Sequence, residues 1–147
     1  RISEFLKLAE VEYRESIEIS RILAARPDAS NLWRHDLAVG LFKLGDTLAN
    51  REDEDLRTKA TQVLVEGKAI AMQLAAGDPG YPKWQAHLGL FCLRLGRLQA
   101  LEARDEDARG NFTQGKAIFI ALKDKNLLSR QYAAWLQEIE KGLEDLG

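Results

Sequence analysis

Apolar residues recur along this chain at steps of three and four, the spacing of one face of an α-helix. The clearest series starts at a tryptophan and continues through four leucines: Trp33, Leu37, Leu41, Leu44 and Leu48. A second kind of series mixes small residues with larger ones: Ala60, Leu64, Gly67, Ile70 and Leu74. The small residues would let a neighbouring helix approach closely, so both series predict helices packed against helices.

Breaks between these series predict where the helices end. Prolines and glycines interrupt the chain at 25–30 and 77–82, and polar, acidic stretches do so at 51–55 and 103–107. Acidic residues are favourable just ahead of the positive N-terminal end of a helix. No alternating strand pattern appears. Six helices are therefore predicted, at 3–25, 31–50, 56–76, 82–103, 105–124 and 128–146.

The two series alternate and repeat. Trp33, Trp84 and Trp135 recur at an interval of 51 residues, and the second series recurs 51 residues upstream, from Ala9, and 48 residues downstream, from Ala108. Such an interval indicates stacked supersecondary units. We call the helices with tryptophan the first kind and the others the second kind. Tryptophans at one repeated position are expected to pack between units.

The fourth and sixth predicted helices differ in polarity. The fourth is apolar almost all round, whereas the sixth is polar over most of its circumference. We expect the fourth to be central and the sixth to be a cap, because the end of a stacked array faces water. The chain opens on a helix of the second kind and closes on one of the first, which suggests a piece of a longer protein.

Large and small residues at fixed positions resemble the signature of a known family. Leu44-Gly45 is followed by Ala60, Leu64 and Gly67, and then by Asp78-Pro79. This order resembles the tetratricopeptide repeats, although the interval near 50 residues exceeds that family's 34 or so. The resemblance implies a single all-α domain over 1–147, a TPR-like α-solenoid in which antiparallel helix hairpins form a right-handed superhelix. It also implies a concave face, lined by helices of the first kind, that holds a peptide or partner domain.

Composition narrows the classes of partner and the location. The net charge is −2, from 21 basic and 23 acidic residues, so the positive field typical of nucleic-acid or anionic-membrane binding is missing. No apolar stretch is long enough to span a bilayer. Cys92, the single cysteine, lies in an apolar run, as a buried thiol in a reducing compartment would. We therefore expect a cytoplasmic protein that binds neither nucleic acid nor membrane.

Candidate chemical sites are weak. Gly110–Ala117 resembles a phosphate-binding loop, but Ala117 has no hydroxyl for magnesium and no strand precedes it. His35 and His87 lack a second histidine or a cysteine at the spacing of metal ligands. The sequence therefore predicts no catalytic residue, no cofactor and no metal, and a protein that is not an enzyme.

The best candidates for partner contacts lie beside the buried stripe of the first-kind helices. They are Val39, Phe42 and Asp46 in one repeat, and Leu90, Leu93, Arg94 and Arg97 in the next. Phe42 and Leu93 occupy matching positions, and the two arginines would anchor an acidic group. In the alternative interpretation these residues simply pack between helices.

The predicted function is a non-catalytic scaffold for protein–protein interaction, binding a peptide or partner domain of unknown identity. A second hypothesis is a regulatory, sensor or self-association arm of a multidomain signalling protein whose catalytic domain lies outside this segment. Homo-oligomers fit either hypothesis. A third, an independent helical enzyme, would need a buried cluster of titratable groups.

Overall fold

The computed structural model describes residues 2–49 and 52–147, apart from the side chains at positions 2, 3, 5 and 6. The described residues form six α-helices: α1 Ile2–Ala24, α2 Asn31–Ala49, α3 Glu54–Gly77, α4 Pro82–Leu101, α5 Asp105–Asp124 and α6 Arg130–Leu146. The six predicted helices are confirmed, each described end within two residues of its predicted position. The predicted end of the second helix at 50, and residue 51 of the first acidic stretch, lie outside the described residues.

Side-chain caps fix several helix starts. The Ser30 hydroxyl accepts a hydrogen bond from the backbone N–H of Trp33 at 3.2 Å, and the Ser129 hydroxyl accepts one from Tyr132 at 3.1 Å. Such caps satisfy N–H groups that have no partner inside the helix. As predicted, acidic residues fill the first turns of α3 and α5.

Turns of one type end α4 and α5. The backbone N–H of Arg104 donates to the carbonyl of Gln99 at 2.8 Å, and that of Leu127 makes the equivalent bond after α5, also at 2.8 Å. Each turn contains one residue in the left-handed region, Ala103 with φ 57° and Asn126 with φ 60°. This is the Schellman geometry. It ends α4 at Leu101, two residues before the predicted end.

The chain divides into two compact units, Arg1–Ile70 and Ala71–Gly147. In each, successive helices pack as antiparallel neighbours. In the first unit Ile17 of α1, which is 3% exposed, packs towards Gly40 of α2. Gly45 of α2 lies against Leu64 of α3. The buried stripe of α2 is the tryptophan series of the sequence: Leu37, Leu41, Leu44 and Leu48.

The core of the second unit joins three helices, because α4 contacts both α5 and α6. Phe112 of α5, 1% exposed, lies against Gly96 of α4 and Gly142 of α6. Around it are Ala86, Leu93, Ala108, Phe119, Leu122, Leu136 and Ile139. Helices α4 and α6 differ in burial as predicted. Eleven of the 20 residues of α4 are buried, whereas within α6 Leu136 and Ile139 are the buried ones.

The three tryptophans are packed to different degrees. Trp84 is 8% exposed. Trp135 is half-buried, with its ring centroid 6.2 Å from that of Phe119. Trp33 is also half-buried, and the Arg26 guanidinium lies 5.8 Å from its ring centroid. Trp84 is therefore buried and Trp135 packs beside α5, while packing of the tryptophans between repeat units stays a prediction.

Candidate binding surface on α4 and α6

The predicted contacts on α2 lie at the edge of the core. Val39, Phe42 and Asp46 are all half-buried. Phe42 and Asp46 each make a further interaction within the chain. The first unit thus offers parts of these side chains as surface. Their role as partner contacts stays a prediction.

Two of the predicted contacts on α4 face inward. Leu93 is 0% exposed and belongs to the core around Phe112. Leu90 is half-buried and packs against the same core. Leu93 therefore offers no surface to a partner in this arrangement. Its position matches that of Phe42 in the repeat, but the two differ in burial.

The two predicted arginine anchors also differ. Arg94 is half-buried and makes an interaction within the chain. The Arg97 guanidinium is exposed and donates to the Glu138 carboxylate of α6 at 2.9 Å, the side chains being 45% and 40% exposed. Exposed ion pairs contribute little to stability, about 0–1 kcal/mol. An incoming carboxylate would thus compete with Glu138 at small cost to the fold.

The Arg97–Glu138 pair lies at an open groove of about 580 Å³. The C-terminal halves of α4 and α6 form its walls, and α5 contributes residues from its first two turns. Its lining residues are Arg97, Ala100, Leu101, Asp105, Phe112, Glu138, Lys141, Gly142, Asp145 and Leu146. We call this the α4–α6 groove. It brings together one residue predicted from the sequence, Arg97, with nine that were not.

Gly142 of α6 lets the helix backbone approach Phe112 at the groove. A Cβ at this position would lie 2.6 Å from Cζ of Phe112, closer than atoms in contact allow. The backbone of α6 therefore lies directly on the Phe112 ring. Ala100 and Leu146, both half-buried, continue the apolar lining.

Leu101 is the most exposed apolar residue of the groove, at 74%. The sequence contained a signal for it. Leu90, Arg94, Arg97 and Leu101 step by four, three and four, so they share one face of α4. The predicted surface ended at Arg97 and did not include Leu101. The helical spacing continues the surface by one turn.

Charges of both signs surround the apolar lining. Arg97 and Lys141 are basic, and Asp105, Glu138 and Asp145 are acidic. Lys141 lies 3.8 Å from Asp145, an exposed i,i+4 pair. Since these pairs are exposed, their partners can exchange for groups of a ligand. The groove therefore combines an apolar lining with exposed charges of both signs.

A second cleft, of about 400 Å³, lies elsewhere in the same unit. It runs between the N-terminal half of α4 and the C-terminal half of α5, beside the turn at Pro79 and Gly80. Its lining is mostly apolar, with Gln85, Gln114 and Lys125 as polar members. None of the seven predicted contacts lines it.

The chemical candidates of the sequence lie in helices. Gly110–Ala117 lies inside helix α5 and not in a loop. His35 is 8% exposed and makes an interaction within the chain. Among the described residues, no three His, Cys, Asp or Glu side chains are placed to hold a metal ion. None of the described helices combines the length and the apolar character needed to cross a membrane.

Comparison of the chain with models of protein families, with curated proteins and with solved structures gives no match. The chain is accordingly assigned to no family. What is established is an all-helical protein whose described residues form six helices, with neighbouring helices packed against each other within each unit.

Proposed function

We propose that this protein is a non-catalytic scaffold that binds a peptide or a partner domain in the α4–α6 groove. The observation that carries the proposal is Leu101, an apolar side chain 74% exposed on the wall of an open groove. Apolar side chains of this kind, beside charged groups at a rim, are typical of the anchoring points of protein interfaces.

The ligand we propose is an extended or helical peptide with one apolar side chain and one acidic group. The apolar side chain would lie against Leu101 and Leu146. The acidic group would bind the Arg97 guanidinium in place of Glu138, since a guanidinium donates two parallel hydrogen bonds to a carboxylate. Lys141 would contribute a second positive charge.

The proposal includes a TPR-like arrangement, in which the first-kind helices line a concave face. One packing feature supports it. Gly45 lies against Leu64 in the first unit, and Gly96 lies against Phe112 in the second, although the two large residues differ in shape. The repeat found in the sequence thus has a counterpart in the packing of both units. A cytoplasmic location also belongs to the proposal, because Cys92 is the single cysteine of the sequence and its side chain is buried.

A peptide-display library selected against residues 1–147 tests this function. We expect enriched peptides to combine a large apolar residue with Asp or Glu. Leu101→Glu should weaken binding of a selected peptide at least about tenfold, because it places a charge where the apolar anchor binds. Arg97→Ala should weaken it by a similar factor and reduce the dependence on salt.

Leu127→Glu is the matched control. Leu127 is 41% exposed in the same unit, but it lines the other cleft. Binding should survive this change. If Leu101→Glu and Leu127→Glu bind the selected peptides equally well while both remain folded, the groove is not the site. A library without enriched peptides would also count against the proposal.

A further inference from the structure

Helix α1 has two apolar faces, and one of them is covered. Ile17 is 3% exposed and packs towards α2. On another side of the helix, four large apolar side chains are at least half exposed: Leu8 66%, Val11 51%, Ile19 62% and Ile22 62%. We call these four residues the α1 outer stripe.

The outer stripe follows one face of the helix as two apolar pairs, with Glu15 between them. Together with Glu15, its residues step by three, four, four and three. At 100° per residue they fall within an arc of about 80°. Exposed apolar side chains grouped on one face mark interaction sites in soluble proteins. Each pair, Leu8 with Val11 and Ile19 with Ile22, has the i, i+3 spacing with which one helix presents anchors to another.

The charges around the outer stripe are predominantly acidic. Glu12, Glu15 and Glu18 are all exposed, and Glu15 lies within the stripe. Of the described basic side chains of α1, Lys7 is exposed, and the other two form ion pairs within the chain. Arg14 pairs with Glu10 at 3.0 Å, and Arg21 binds Glu66 of α3 and lies 3.8 Å from Glu18. A complementary partner would therefore carry positive charges.

Two other occupants fit these charges poorly. If two copies paired with their outer stripes aligned, Glu15 of one copy would lie against Glu15 of the other. This holds for parallel and antiparallel helices, because the stripe spacing is symmetric about Glu15. Like charges directly opposed are unfavourable. An anionic lipid surface would also be repelled by the three glutamates. A basic helical partner meets neither obstacle.

We propose that the α1 outer stripe is a docking surface for an amphipathic helix of a partner, with apolar residues against the stripe and Lys or Arg opposite Glu12 and Glu15. This surface is distinct from the α4–α6 groove, and its function does not depend on the ligand of that groove. It makes the protein an adaptor with two independent contacts.

Three designed helical peptides of about 20 residues test the proposal by fluorescence anisotropy. One carries a leucine stripe flanked by lysines, the second the same stripe flanked by glutamates, and the third the composition of the first in scrambled order. We expect residues 1–147 to bind the first peptide at least about tenfold more tightly than the other two. Raising the salt concentration should reduce the difference in affinity between the lysine and glutamate peptides.

Variants of the protein locate the contact. Glu12→Lys with Glu15→Lys should reverse the preference, favouring the peptide flanked by glutamates. Ile19→Ser with Ile22→Ser should weaken binding of the first peptide at least about tenfold, since two apolar anchors are lost. Val65→Ser, at an apolar residue of α3 that is 52% exposed, is the matched control and should leave binding unchanged.

Two results would overturn the proposal. One is equal binding of the lysine and glutamate peptides to the unaltered protein. The other is a charge-reversed protein that still prefers the lysine peptide. Sedimentation equilibrium addresses the second-copy alternative, because self-association abolished by Ile19→Ser with Ile22→Ser would show that the stripe binds its own copy. None of these readouts involves Leu101, so a failure here leaves the proposed function of the groove intact.

Discussion

Gly96 of α4 lies so close to Phe112 of α5 that a Cβ at position 96 would be 2.6 Å from Cε1 of the ring. The first unit contains the matching contact, where a Cβ at Gly45 would be 2.5 Å from Cγ of Leu64. Gly45 and Gly96 are 51 residues apart, and Leu64 and Phe112 are 48 apart. The same close approach of a first-kind and a second-kind helix therefore occurs twice.

This contact makes Gly96→Ala destabilising, although alanine favours helices. The new methyl group would displace Phe112, and such overpacking costs about 1–3 kcal/mol. The free energy of unfolding, measured with urea, checks this. Gly110→Ala in α5 is the control, because a Cβ there meets nothing within 4 Å. It should stabilise the protein by about 0.5–1 kcal/mol. Equal effects of the two changes would contradict the close approach.

Truncation to alanine should affect stability strongly at Leu93 and very little at Leu101, although both are leucines of α4. Leu93 is 0% exposed and Leu101 is 74% exposed. Leu93→Ala should lower the free energy of unfolding by about 2–5 kcal/mol. Leu101→Ala should change it by less than about 0.5 kcal/mol and act on binding instead. A large loss of stability in Leu101→Ala would show that this residue is part of the core.

The loss of stability on replacing a tryptophan with alanine should be larger for the more buried tryptophan. Trp84→Ala should cost about 3–5 kcal/mol, because the residue is buried in α4. Trp33→Ala should cost less than half as much, since Trp33 is half-buried and partly covered by Arg26. Chemical denaturation followed by circular dichroism compares the two. A loss below about 1 kcal/mol for Trp84→Ala would mean that this tryptophan is not a packing residue.

The turn after α4 should tolerate glycine better than alanine. Ala103 has φ 57°, and the left-handed region costs an L-residue about 1–2 kcal/mol. Glycine removes that cost but loses more conformational entropy on folding, about 0.5–1 kcal/mol. Ala103→Gly should therefore stabilise the protein by about 0.5–1 kcal/mol, seen as a higher melting temperature.

Asn126 provides the comparison for Ala103, because it has φ 60° in the equivalent turn. Asparagine tolerates the left-handed region better than alanine. Asn126→Gly should consequently change stability by less than Ala103→Gly. If both substitutions destabilise the protein, the left-handed conformation is not the source of strain.

The helices of this protein were predictable because their signals are local. Ser30 and Ser129 lie at positions where a side chain can cap a helix, and acidic residues lie in the first turns of α3 and α5. The steps of three and four identified the buried stripe of α2 from its sequence alone. The repeat also contained a sign of the contact between Gly96 and Phe112. A glycine recurs at positions 45 and 96, and a large apolar residue recurs at positions 64 and 112.

The candidate surface was less predictable, because exposure depends on what lies opposite a residue. Leu93 and Leu101 have the same side chain on one helix, yet only the positions of α5 and α6 bury the first and leave the second open. The close approach of Gly142 to Phe112 likewise depends on where α6 lies.

By itself the sequence determined where the helices begin and end, which faces are apolar and that the pattern repeats, since these follow from spacing, caps and turn residues along a few turns. The tertiary structure alone decided which apolar residues have a neighbour. It left the stripe at Leu8 and Ile19 exposed, and it joined Arg97 to Glu138 at a groove. The reason is physical: apolarity favours burial against some surface, but only packing specifies which surface is present.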